Sequence, residues 1–337
     1  MGLVRYVARR LVLVIPVFLA VTLLTFIVSH VVVPNPVLAW AGEKSSPATI
    51  ATIAAQYHLN DPLYVQYYYY MEGLLSGNWG VSAVNHFPVL TQIASYLPAT
   101  AELSIAALII SVIIGIPIGV ISAMWKGKKK DYPLQVLFLS GIASPPFLLA
   151  LLFQIFLAYQ FRIFPSSGRL SPGLTPPPHV TGMYTIDSLL AGNWSLFVNA
   201  VDHLILPATA LGLLTFSIIA RITRSSMLET MDKDFVRTAK SKGLPKRMVT
   251  YKHTLRNALT STVTVIGYAV QILLAGTIVI ETIYFWPGIG YYTTQSILSL
   301  DFPSIMGITI IYTLIVVFTN LFTDLGYAAL DPRVRLE

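Results

Sequence analysis

The sequence predicts an all-α integral membrane protein with six transmembrane helices, and three observations carry that expectation. The chain is 55% hydrophobic and only 11% charged, with a mean hydropathy of +0.69, which leaves too little polar surface to clothe a globular core in water. Apolar runs long enough for the roughly 20 residues a bilayer needs recur along it. The basic residues gather between alternate runs instead of spreading over one face.

Taken in order, MGLVRYVARR is a basic start that leads into an apolar run over about 11–33. A cleavable signal peptide has an apolar core of about 7–15 residues and a small-residue cleavage site. This run is longer and lacks such a site, so 1–33 is read as the N-terminus and a retained first helix. Residues 34–96 are too polar to span and form an insertion between helices 1 and 2, with two short helices split at Asn60-Asp61-Pro62. Tyr67, Tyr68, Tyr69 and Tyr70 cover every side of one helical turn, so some of them face a partner or the membrane interface.

The core, 97–329, holds five further spans over about 97–124, 133–160, 204–225, 258–284 and 303–329. Pro117, Pro145, Pro146 and Pro207 fall inside them, and prolines are tolerated there when neighbours re-satisfy the backbone. Gly115 and Gly119 make a small-xxx-small pair suited to helix packing. Residues 161–203, rich in Pro, Ser and Gly, read as an exposed external loop, and 330–337 as a tail. The strings LLSGNWG (74–80) and LLAGNWS (189–195) look alike, but seven residues are too few for a repeat.

Charge orients this set. With the N-terminus inside, all but Lys44, Arg162 and Arg169 of the 22 Lys/Arg residues fall on the cytoplasmic side. Six helices with both termini cytoplasmic satisfy the positive-inside rule, and odd-helix arrangements break it. The net charge of +7 therefore reports topology and not nucleic-acid binding.

The most polar long run is 221–256, which carries ten Lys/Arg against Glu229, Asp232 and Asp234. Within it a short helix over 233–242 is expected. Asp232 is the candidate N-cap and Asp234 a first-turn carboxylate, while Gly243 and Pro245 stop the helix. Phe235, Ala239 and Gly243 recur at i, i+4 and i+8 with Val236 beside them, giving one small apolar face that has no partner of its own in this chain. A basic amphipathic helix lying on anionic lipid is the alternative.

The residue order DFVRTAKSKGLPKRMVTYKHTLRNAL resembles the cytoplasmic loop of permease subunits in ABC importers. The likeness runs through MGLVRYVARRLVLVIPV, LNDPLYVQY, LPATAEL (97–103), SPPF (144–147), HLILPA (203–208), IVIETIYFWPGIG (278–290), DFP (301–303) and DPRVR (331–335). Together these look like the first of the two permease subunits of dipeptide/oligopeptide ABC importers, whose relatives also carry nickel or oligosaccharides. The resemblance implies the type I ABC importer permease fold in the cytoplasmic membrane of a bacterium or archaeon. It also implies a second, similar permease, two ATP-binding subunits that hold ATP and Mg, and an extracytoplasmic substrate-binding protein. It makes 226–256 the coupling loop, with Asp234, Phe235, Val236, Arg237, Ala239, Lys240, Gly243 and Leu244 as the docking residues. DKDFVRTAKSKGL departs from relatives whose loop starts glutamate-alanine-alanine, and the 161–203 loop is longer than in shorter members.

No GxxxxGK[ST] occurs, so the chain has no phosphate cradle of its own, and no cofactor is expected in this subunit. With no cysteine and no nucleophile–base or metal-ligand constellation, a membrane enzyme is the weakest reading. An ion channel or proton-coupled carrier is the alternative of a different class, but such proteins line their pathways with ionisable residues, of which this chain has few. Glu102, Glu281 and Asp324 fall near helix ends and read first as capping or packing groups. Gln154, Ser217, Gln271 and Glu281 are the candidate substrate-path residues, with bonding across helices as the alternative.

Overall fold

The computed structural model describes residues 3–32, 36–41 and 45–330, so Lys44 and the tail beyond 330 lie outside the described residues, as does the side chain of Asp324. Apart from a lone antiparallel bridge between Val81 and Pro88, regular structure among the described residues is helical. The elements are α1 (Leu3–Ile27, continued by a π turn Val28–Val32), α2 (Pro36–Ala41), α3 (Pro47–Gln56), α4 (Leu63–Ser76), α5 (Val89–Met124), α6 (Asp131–Ala143), and α7 (Pro146–Phe153, continued by a π turn Gln154–Gln160). They continue with α8 (Tyr184–Leu190), α9 (Trp194–Met231), α10 (Asp234–Ser241), α11 (Lys246–Met248), a π turn Val249–Leu255, α12 (Arg256–Ile283), α13 (Ile289–Leu298) and α14 (Phe302–Leu330).

Among the described residues five stretches are long and apolar enough to cross a bilayer: Val12–Val31, Val89–Met124, Trp194–Met231, Lys246–Ile283 and Phe302–Leu321. The sixth corrects the expectation of one helix over 133–160. There α6 and α7 are bent by 110° at a two-residue break. The residue before a proline is pushed out of the helical region, and Ser144 sits at ψ 133°, followed by Pro145 at ψ 130°. Two successive extended residues end the helix, whereas the isolated Pro16 and Pro207 stay inside α1 and α9.

Other boundaries shift as well. α5 begins at Val89, eight residues before the expected start. α9 begins at Trp194, where the Asn193 side chain accepts the Leu196 N–H at 3.0 Å, and runs 38 residues. The loop expected outside therefore ends at 193, contains α8, and is shorter than the expected 161–203. On the other side, the linker between long helices shrinks from 226–256 to 232–245. The two similar strings share a function as helix stops: Asn78 N–H bonds the Gly73 carbonyl and Asn193 N–H the Ser188 carbonyl, the same six-residue closure after α4 and α8.

The chain forms two compact units. One contains the described residues through Ala99 with Pro287–Leu321, the other Thr100–Trp286 with the described residues from Phe322 on. In the first unit Val89, Ile93, Ile289, Tyr292 and Ile308 form a buried cluster. The buried Asp301 ties it down by accepting from the Ser82 and Ser304 hydroxyls and the Ala83 N–H. The tyrosine turn divides in two. The Tyr67 hydroxyl lies 3.1 Å from that of Thr22 on α1 and Tyr70 packs near Phe26, while Tyr68 and Tyr69 stay exposed.

The second unit is organised around α9. A Cβ on Gly119 would lie 2.6 Å from the Ala220 carbonyl oxygen, and one on Gly115 would lie 2.9 Å from Ile219 Cγ2, so α5 and α9 approach closely. Lipid tails are as apolar as leucine, so close packing, not water exclusion, holds such a pair together. At the end of α9, Arg224 Nη2 donates to Asp131 at 2.8 Å, and the Ser122 hydroxyl donates to the same carboxylate. This buried node joins α5, α6 and α9 beside the basic linker.

Candidate coupling surface and polar anchors

The basic linker folds as expected into a short helix, but its ends and faces differ in detail. Asp232 does not cap α10. It is the C-cap of α9, at φ −88° and ψ −5°, because α9 runs on to Met231. The N-cap position belongs to Lys233, whose side chain has no acceptor to offer, and Asp234 remains the first-turn carboxylate. The stop is the expected one. Gly243 adopts φ +75°, its N–H bonds the Lys240 carbonyl at 3.0 Å, and the Leu244 N–H bonds the Ala239 carbonyl at 3.3 Å. These are the paired closing bonds of a glycine-terminated helix, and a left-handed residue there suits glycine because it has no Cβ.

The expectation that α10 lacks a partner in its own chain is corrected. Val236 (0% exposed) and Ala239 are buried against Val249, with Leu244 half-buried over them. A step of one residue turns a helix by about 100°, so Phe235 points elsewhere and is 42% exposed. Arg237 and Lys240 are exposed as well, and the Arg237–Asp234 pair at 3.6 Å lies in the open. A Cβ on Gly243 would meet nothing within 4 Å, so only its backbone conformation constrains that position within the chain. The eight expected docking residues thus divide: Val236, Ala239 and Leu244 fasten the helix, Asp234, Phe235 and Arg237 form an outward surface that Gly243 ends, and the exposed Lys240, one turn on from Val236, borders both faces.

Each expected path residue has its own surroundings. Gln154 Nε2 donates to the Ser166 and Ile283 carbonyls at 2.9 and 3.1 Å, tying the π turn after α7 to the end of α12. The fully buried Ser217 hydroxyl donates to Leu213 O on its own helix and packs against Gly141. Glu281 is fully buried and accepts from the Thr100 hydroxyl at 2.7 Å. Gln271 is half-buried on α12.

The sequence reading missed a second polar anchor, on the loop before α9. Arg169 is buried, donates to Glu102 at 2.6 Å and to the Gly182 carbonyl at 2.9 Å, and stacks its guanidinium 3.6 Å from the Tyr184 ring. Glu102 also accepts the Thr185 N–H and hydroxyl, each at 2.7 Å. Asp187 accepts from the N–H groups of Val180, Thr181 and Gly182 and from the Thr181 hydroxyl. Burial pushes the Asp187 carboxyl up, but these donors outweigh it and hold the group below the usual carboxylate range. The one available signal was that the segment expected outside, 161–203, holds only four charged residues, Arg162, Arg169, Asp187 and Asp202.

Residues 115–336 match the family described as binding-protein-dependent transport system inner membrane component, and residues 3–104 match its N-terminal companion. The chain is 40% identical over 93% of its length to a probable D,D-dipeptide transport system permease protein of Escherichia coli K12, covering 92% of that protein. It is also 40% identical to a dipeptide transport system permease protein of Alkalihalophilus pseudofirmus, over 98% of this chain and 99% of that one. The dipeptide permease of E. coli K12 is 37% identical over 99% of both chains. With apolar helices of spanning length and a family match over most of its length, the chain belongs to the binding-protein-dependent transport system inner membrane components, as a permease similar to those of ABC importers for dipeptides.

Proposed function

We propose that this chain is the first of two permease subunits of a peptide importer, working by alternating access with ATP hydrolysed on partner subunits. Its termini are cytoplasmic, a substrate-binding protein delivers the peptide from outside, and two ATP-binding subunits sit against the basic linker. The single observation that carries the reading is the division of α10. Val236 and Ala239 lock it to its own chain, while Phe235 and the flanking Lys/Arg side chains stay exposed beside them. A helix held on one face and open on the other can pass a push from a soluble partner to α9 and the Lys246–Ile283 rod. Relatives named as dipeptide permeases, at 37–40% identity over nearly full length, support peptides as the cargo.

Nothing chemical happens to the cargo. The chain's contribution is a two-state arrangement that partners bias through α10. The test is the assembled transporter in proteoliposomes, scored for dipeptide uptake and for ATP hydrolysis stimulated by the loaded binding protein. Uptake that competes with dipeptides and disappears without ATP supports the proposal. ATP-independent ion flux, with no peptide uptake, would refute it.

A further inference from the structure

Beneath α10 the second unit contains a cavity of about 380 Å3 whose lining combines two chemistries. Met124 at the end of α5, Met231 at the end of α9 and Leu244 give it half-buried apolar walls over the buried Val236 and Val249. Lys240, Lys246 and Thr250 give it a cationic, hydrogen-bonding side, and among the described residues no carboxylate lines it. Lys246, Thr250 and Thr254 follow at intervals of four along the helical rod that starts at Lys246, so they make one stripe. Asp234, the first residue of α10, and Asp232, two residues before it, are both exposed and neither lines the cavity.

We infer that this cavity binds one anionic phospholipid, its phosphate on Lys240 and Lys246 and part of an acyl chain along the methionines. A phosphate alone would satisfy the ammonium groups but leave the apolar walls wet. A neutral lipid would leave the two cations without an anion. Basic pockets among helix ends on the cytoplasmic side suit anionic headgroups, and the positive-inside arrangement puts this one at that interface. The site also lies between α10 and the ends of α5 and α9, so an occupant braces the helix against the spans it moves. The bracing role rests on the proposed function, whereas the binding does not.

The test is hydrogen exchange of 246–254 in the assembled transporter, held in nanodiscs of phosphatidylcholine alone or with phosphatidylglycerol. Phosphatidylglycerol protects the segment in the wild type. Lys246→Gln with Thr250→Val weakens retained phosphatidylglycerol, counted by native mass spectrometry, about fivefold, the equivalent of ~1 kcal/mol for one lysine at an anionic surface. Lys246→Arg keeps the charge and restores both signals, which separates loss of the site from misfolding. Equal protection in phosphatidylcholine, undiminished retention in the double variant, or equal protection by inorganic phosphate overturns the inference. Because exchange is read without transport, failure of the importer reading leaves this result interpretable.

Discussion

The two loops of the second unit make opposite use of polar residues. The one expected outside, 161–193, looks like an open coil in composition, yet two of its three Arg/Asp charges are spent internally: Arg169 on Glu102, and Asp187 on three backbone N–H groups. The one expected on the cytoplasmic side, 232–245, keeps a regular helix but leaves its charges in solvent, with one weak pair at 3.6 Å. A loop that satisfies its own charges is built to hold a shape. A helix that leaves its charges and a phenylalanine exposed is built to meet something else.

The sharpest way to break the comparison is Arg169→Met. Removing one partner of a buried pair leaves an uncompensated carboxylate, which typically costs about 3–5 kcal/mol. Limited proteolysis should then cut the 161–193 loop, and thermal unfolding should shift downwards. The same removal in the other loop, Asp234→Asn, should leave the melting curve unchanged, since both groups are largely exposed. If the two variants behave alike, the contrast is wrong.

Next in size is Val236→Ala, which deletes two buried carbons at ~0.8 kcal/mol each, about 1.6 kcal/mol. It should loosen α10 from its own chain, read as faster amide exchange over 234–241 with the spans unaffected. Gly243→Ala follows. It forces a Cβ into a left-handed residue at a cost of roughly 1–2 kcal/mol, with no clash to add. Uptake should fall while subunit yield stays near normal.

The smallest effect is that of mild acid. Asp187 has a folded value below the ordinary 3.8, so its contribution is complete above 3.8 and is lost as pH falls through the lower folded value. The 161–193 loop should keep its protease resistance at pH 4–5 and open only in stronger acid. Opening above pH 5 would mean that the Asp187 donors are not what holds it.

What the sequence made legible was local. Apolar length marked the spans, and Gly243 with Pro245 marked the end of α10, because each signal acts within a few residues of where it is written. Pro145-Pro146 was visible but was read as tolerable, since a single proline often is; the pair acts by extending Ser144 and Pro145 in succession. Asp232 has the chemistry of an N-cap, but the continuation of α9 to Met231 claimed it first. The Glu102–Arg169 anchor joins residues 67 positions apart, beyond any periodicity. The outward and inward faces of α10 differ by one residue, and an eight-residue helix is too short for its pattern to choose between Phe235 and Val236.

That choice is the centre of the account, and one measurement addresses it directly. A photoreactive side chain replaces Phe235 in one version of the assembled transporter and Val236 in another, and both are irradiated in native membranes. The account predicts adducts from position 235 to an ATP-binding subunit, and from position 236 only within this chain. Adducts from 235 to lipid alone, or equal partner adducts from both positions, would contradict it.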